Sequence, residues 1–154
     1  MGSGLVVRLF RTAIGLLSRS VAGSHLNCGA SGEALAYWYL RERGFTMVAR
    51  NYRRAGVGGE VDLIGWEGDT LVFVEVKTRQ SSAVRHAEDA VDWEKRRHLA
   101  AAARDYRMRA QARGPYRFDV VSVYPQPEGA AVVEHFRDAF TEAQLGCHSQ
   151  PGSF

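Results

Sequence analysis

Two apolar runs separated by a short polar turn constrain this chain more than any other feature. Residues 61–66 (Val-Asp-Leu-Ile-Gly-Trp) and 71–77 (Leu-Val-Phe-Val-Glu-Val-Lys) flank Glu67-Gly68-Asp69-Thr70. Runs rich in β-branched and aromatic residues around a glycine turn read as an antiparallel hairpin. Alternation of side chains along a strand then predicts Glu60, Asp62 and Ile64 on one face, opposite Val61 and Leu63. It likewise groups Leu71, Phe73, Glu75 and Lys77 opposite Val72, Val74 and Val76. A pairing that sets Asp62 beside Glu75 brings two carboxylates and an ammonium to one spot among apolar side chains.

Adjacent carboxylates repel unless a cation lies between them, and oxygen ligands suit magnesium or manganese. A magnesium ion keeps several waters and accepts phosphate oxygens, the arrangement for metal-assisted phosphodiester hydrolysis. Lys77 is suited to positioning or deprotonating the attacking water, or to stabilising charge on the phosphate. Arginine is a poor base, its pKa lying above about 12. Lys77 and Lys95 are the only lysines among twenty basic residues.

The rest of the chain places this hairpin in an α/β domain. A length of 154 residues with 45% hydrophobic and 24% charged residues fits one globular domain. Residues 33–43 read as a helix behind an N-capping Ser31, with Gly44 as its stop. Residues 45–52 read as a strand leading into Ala55-Gly56-Val57-Gly58-Gly59, which lacks the lysine of a phosphate-cradling loop. Residues 80–89 read as loop and 93–112 as a helix stopped by Gly114-Pro115. Residues 118–124 and 131–136 read as a second strand pair. One mixed sheet with flanking helices is the predicted architecture. An amphipathic helix is expected over residues 5–21, within a segment 1–24, and a loose tail over 145–154. Arg8 and Arg11 interrupt any bilayer-spanning run, so stable membrane insertion is not expected. Two cysteines, Cys28 and Cys147, with no CxxC pair, point to a reducing, cytoplasmic setting.

Charge is unevenly distributed. Five arginines face one acid between Arg41 and Arg54, and eight basic residues face two acids between Glu94 and Arg117. From Asp119 onward five acids face Arg137. Local excess of this kind suits a polyanion, with Arg53, Arg54, Lys95, Arg96 and Arg97 as candidate phosphate contacts, although a solvated helix face reads the same way. The five histidines show no ligand spacing, and Asp119 reads as a structural acid paired with Arg53 or Arg117.

Gly-Glu-Val-Asp-Leu-Ile at 59–64, followed by Phe-Val-Glu-Val-Lys-Thr-Arg at 73–79, resembles the D…ExK core of the restriction-endonuclease-like nuclease superfamily. More narrowly, the chain is similar to the bacterial YraN family, regarded as related to Holliday-junction resolvases. The match includes Gly32-Glu33, Gly44-Phe45, Asn51-Tyr52-Arg53, Lys95-Arg96-Arg97, residues 117–121 and Asp138-Ala139-Phe140. The resemblance implies a mixed sheet flanked by helices, with Asp62 and Glu75 as metal ligands and Lys77 as the catalytic lysine. It further implies the Val76 carbonyl as a ligand and Glu33 as an acid completing the site. The turn at residues 55–58 is longer than the resemblance leads one to expect.

The expected function is that of a magnesium- or manganese-dependent endonuclease acting on DNA, branched or damaged DNA included. Cutting both strands of a junction would favour a homodimer, with residues 5–21 as a candidate dimerisation element. The alternative is a non-cleaving nucleic-acid-binding module, or a partner-dependent adaptor, that retains the nuclease fold.

Overall fold

The structure is a computed structural model that describes residues 20–21, 31–56, 59–79, 93–127 and 130–145. In chain order the elements are β1 (Ser20–Val21), α1 (Gly32–Glu42), β2 (Thr46–Arg53), β3 (Glu60–Glu67), β4 (Thr70–Thr78), α2 (Trp93–Arg109), β5 (Tyr116–Tyr124), β6 (Val132–Phe140) and α3 (Glu142–Leu145). The strands form one sheet in the order β1-β6-β5-β4-β3-β2. Among the described strands only β4 and β5 pair in parallel, with α2 between them in the chain. This is the α/β mixed sheet flanked by helices that the hairpin and its neighbouring segments predict, and it is consistent with the restriction-endonuclease-like fold that the resemblance implies.

Strand β4 explains the layering. Leu71, Val72, Phe73, Val74 and Glu75 are all buried, as expected of a central strand covered on both faces. Val72 and Val74 join Leu63, Val121 and Val123 against Leu35, Ala36, Tyr39 and Leu40 of α1. Leu71 and Phe73 join Val61, Ile64, Phe118 and Val120 against Leu99, Ala102 and Ala103 of α2. Each large apolar side chain so buried contributes roughly 1.5–3 kcal/mol.

Helix α1 forms where its caps dictate. The Ser31 side chain accepts a hydrogen bond from the Ala34 N–H, and Glu33 complements the helix N-terminus. Gly44, at φ +88°, ends it, with the Phe45 N–H donating to the Leu40 carbonyl and the Gly44 N–H to that of Arg41. Helix α2 stops at Arg109 rather than at 112. Gln111 takes φ +51°, and the Ala112 N–H returns to the Arg107 carbonyl, so a side-chain-bearing residue does what glycine did in α1.

Strand β6 runs four residues past its expected end, to Phe140. Its register against β5 shifts between Phe118 and Val120, and Asp138 in the bulge has φ +49°. Asp119 holds that bulge by accepting the Asp138 N–H at 2.9 Å. Asp119 also takes both Arg117 and His135, but not Arg53, which pairs with Glu60. The N-terminal reading needs one correction: Ser20–Val21, inside the expected helix, is extended and pairs with Val132 and Val133. The remaining residues of that helix, the loop over 80–89 and the tail beyond 145 lie outside the described residues. Among the described residues no helix is long and apolar enough to cross a membrane.

Candidate active site

The site forms where β3 and β4 part. Their ladder runs from Glu67–Thr70 to Leu63–Val74 and ends there. Val76 carries its backbone N–H on the β3 side, where no backbone partner remains, and Asp62 Oδ2 accepts that N–H at 2.7 Å. In a strand the N–H and C=O of one residue leave on the same edge. The Val76 carbonyl therefore faces the same gap.

Simple alternation fails at Asp62. Val61 and Ile64, three residues apart, both pack on the α2 side, whereas Leu63 packs on the α1 side. The regular alternation that predicts Asp62 on the Ile64 face is interrupted between Val61 and Ile64, and Asp62 lies at that break. Strand β2 breaks at the matching point. Arg50 pairs with Leu63 and Tyr52 with Val61, which sets Asn51 opposite Asp62. Asn51 has φ +51°, a left-handed conformation that asparagine tolerates better than most residues. With its amide turned to match its neighbours, its nitrogen donates to Glu33 Oε2 at 3.1 Å and to Glu60 Oε1 at 3.3 Å.

Glu75 stands on β4 at the α2 side with 3% of its surface exposed. Lys77 Nζ lies 2.9 Å from Oε1, and Lys95 Nζ, from α2, lies 3.2 Å from Oε2. Oε2 nevertheless makes no hydrogen bond among the described residues. Lys95 also reaches the Glu60 carbonyl at 3.5 Å. Burial and the neighbouring Glu75 charge raise the Asp62 carboxyl from 3.8 to about 6. The Val76 N–H and Lys95 oppose that shift, and Glu33 adds to it.

Asp62, Glu75 and Lys77, which the hairpin reading groups, thus lie at one end of the sheet, with Glu33, which the resemblance adds to them, close enough to act on the Asp62 carboxyl. Lys95, expected as a phosphate contact, instead points into the same cluster. Arg53 is bound to Glu60 at 2.7 Å, Arg96 lies over the Phe140 ring and Arg97 over Trp93. Arg54 is exposed beyond β2. Asn51 and the inward reach of Lys95 escape a reading by alternation and charge. The rarity of lysine in this chain is the one signal that marks Lys95 out.

Two glycines let the elements come this close. A Cβ on Gly32 would lie 1.8 Å from Thr78 Oγ1, so the start of α1, and Glu33 with it, sits against the end of β4. A Cβ on Gly59 would lie 2.5 Å from His98 Cβ, and Gly59 has φ +122°. Only glycine fits where β3 begins beneath α2. Gly59→Ala is expected to destabilise the fold by about 1–3 kcal/mol, read as a lowered urea midpoint.

Among the described residues no group of three or more His, Cys, Asp or Glu forms a metal cage. Magnesium does not need one: it is commonly held by one or two carboxylates, with water and substrate phosphate completing its shell. Asp62, Glu75 and the Val76 carbonyl fit that pattern, and buried Glu75 Oε2, which makes no hydrogen bond although Lys95 Nζ lies 3.2 Å away, is the oxygen such an ion would take up. A carboxyl held up by a second carboxylate is, for the same reason, one that a cation would bring back down.

Residues 32–123 match the model of the "Uncharacterised protein family UPF0102". A UPF0102 protein of Solibacter usitatus is 47% identical over 133 residues, covering 86% of this chain and 97% of that protein. One from Koribacter versatilis is 48% identical over 107 residues, 68% of this chain and 75% of that protein. One from Rhodococcus opacus is 43% identical over 122 residues, 75% of this chain and 98% of that protein. The matched span takes in α1, the Asp62 and Glu75 strands, α2 and β5, and the chain belongs to the UPF0102 family, the family of the YraN resemblance.

Proposed function

We propose that this protein is a magnesium- or manganese-dependent endonuclease hydrolysing phosphodiester bonds in DNA, with branched or damaged DNA as candidate substrates. One observation carries the reading: a buried glutamate, an aspartate in a gap between parted strands, and two lysines converge where a backbone carbonyl also points. Asp62, Glu75 and the Val76 carbonyl would hold the ion. When bound, the ion supplies Lewis-acid polarisation of the phosphate and lowers the pKa of a bound water. Lys77 donates hydrogen bonds that orient the attacking water, and Lys95 faces the charge growing on the phosphate. The water oxygen gives up a proton to solvent as it forms the new P–O bond; the bridging oxygen leaves with the bonding pair and takes up a proton from solvent. Glu33, fixed by Asn51, closes the acidic side of the site. The reading carries with it a cytoplasmic setting and, for junctions, a homodimer.

One observation favours a second reading, a nucleic-acid-binding module that does not cut. Lys77 and Lys95 already neutralise Glu75 from both sides. Labelled linear, flap and four-way-junction DNA, incubated with magnesium or manganese, separates the two. The nuclease reading expects cleavage that chelator removes and that Glu75→Ala and Lys77→Ala each reduce by roughly 100-fold or more. Binding without cleavage under every metal condition would leave the second reading.

A further inference from the structure

We propose that Tyr37, Trp38, Arg41 and Arg50 form a stacking platform for unpaired nucleotides beside the active site. The location rests on the nuclease reading; the binding itself does not. Tyr37 and Trp38 meet edge to face with ring centroids 5.4 Å apart. Tyr37 packs against the α1-side core, whereas Trp38 is 46% exposed. The Arg41 guanidinium lies 5.3 Å from the Trp38 ring and 5.9 Å from that of Tyr37, and the Arg50 guanidinium lies 5.1 Å from Tyr37.

A lone exposed tryptophan needs no explanation. This one belongs to an array, and its cations lack a counter-charge: among the described residues neither Arg41 nor Arg50 pairs with a carboxylate. Planar aromatic and guanidinium surfaces with unneutralised positive charge match a ligand with flat rings and a negative backbone. That is a single strand of nucleic acid, whose bases are free to stack; in a duplex the base faces are already covered.

The array is continuous with the site. Glu33, Tyr37 and Arg41 are four residues apart in α1 and so lie in one row, about 6 Å per step and about 12 Å in all. Arg50 precedes Asn51, which donates to Glu33 and faces Asp62. A strand leaving the site along this row would lay about three nucleotides, at the ~3.4 Å spacing of stacked bases, against the array. Flaps, gaps and opened junction arms have such strands.

The test is fluorescence anisotropy of labelled oligothymidylate and of a blunt duplex, in chelator so that no cleavage intrudes. Trp38→Ala is expected to weaken single-strand binding about tenfold and duplex binding less than twofold. Trp38→Phe, which keeps a stacking face, should restore most of the loss, and Arg50→Ala should weaken both ligands, the single strand more than the duplex. Equal losses on both ligands, no loss with Trp38→Ala, or no single-strand binding by the wild type would each overturn the platform. Cleavage of duplex in magnesium is read in parallel. Wild-type cutting with Trp38→Ala binding unchanged removes the platform alone. Selective loss of single-strand binding in a protein that never cuts removes the nuclease alone.

Discussion

Asp62→Asn is expected to stabilise the metal-free protein at neutral pH while abolishing its response to magnesium. The Asp62 carboxyl is raised from 3.8 to about 6, first by burial and then by Glu75. Between those two values the folded chain holds a proton that the unfolded chain has released, so stability falls as pH rises through that window. Above about pH 6 the folded state carries the whole cost of an ionised Asp62. Asparagine cannot ionise, and its amide oxygen still accepts the Val76 N–H. After allowance for solvent at this half-buried group, the gain is about 1–2 kcal/mol, or roughly 3–6 °C in Tm. The gain should fade as pH falls through that window and vanish below about pH 3, where the aspartate is neutral in both states. Thermal melts at both pH values, with and without magnesium, read the prediction. Magnesium should raise the wild-type Tm by mass action and leave the variant unmoved. A variant less stable than wild type at neutral pH would show that the Asp62 charge supports the fold instead of straining it.

The largest loss of stability is expected at Asp119, on the other side of the same sheet. Burial alone would raise its carboxyl, but hydrogen bonds from His135 and Arg117 outweigh burial and hold it below 3.8. Oδ1 receives Arg117 Nε and the Asp138 N–H, each at 2.9 Å. Oδ2 receives Arg117 Nη2 at 3.0 Å and lies 2.7 Å from His135 Nε2. Arg117 continues to Glu67 at 2.8 Å, and Arg137 pairs with the same carboxylate. Asp119→Ala would strand a nearly buried guanidinium, a buried imidazole and the bulge N–H together. The expected cost is about 3–5 kcal/mol, read as a fall in urea midpoint at unchanged slope. The acid limb should change as well. In wild type this stabilisation is present above the ordinary aspartate value and lost as pH falls through the depressed one, so Asp119→Asn should flatten the acid side of the pH–stability curve.

These two aspartates show how much of the molecule its sequence discloses. The hairpin, the α1 caps, the central burial of β4 and the convergence of Asp62 with Glu75 follow from β-branched runs, turn chemistry and the position of glycine. Local signals of that kind act over a few residues and are printed in order. Asp62's place at the break is a different matter, because it depends on Asn51 adopting a left-handed conformation eleven residues earlier. Alternation assumes a regular strand, and two matched irregularities remove that assumption. His135 was unassigned for a similar reason: its partner lies sixteen residues away on the neighbouring strand, brought there by a bulge. Lys95 carried the right chemistry in the wrong place, since helix charge patterning gives a side chain's type but not the strand beneath it.

The unequal treatment of the sheet's two edges bears on how the protein behaves when crowded. An uncovered strand edge offers a row of free N–H and C=O groups on which another chain can polymerise. At one side the two residues of β1 lie over part of β6. At the other, β2 is long and solvent-facing, and it departs from flatness twice, at its register shift between Met47 and Ala49 and at Asn51. It also carries Arg50 and Arg53, so a second copy arriving edge to edge would meet like charge on a twisted template. The devices that shape the active site therefore also discourage fibrillar growth, and a β-branched residue in place of Arg53, which removes a charge from this edge without touching Asn51, is expected to cost solubility.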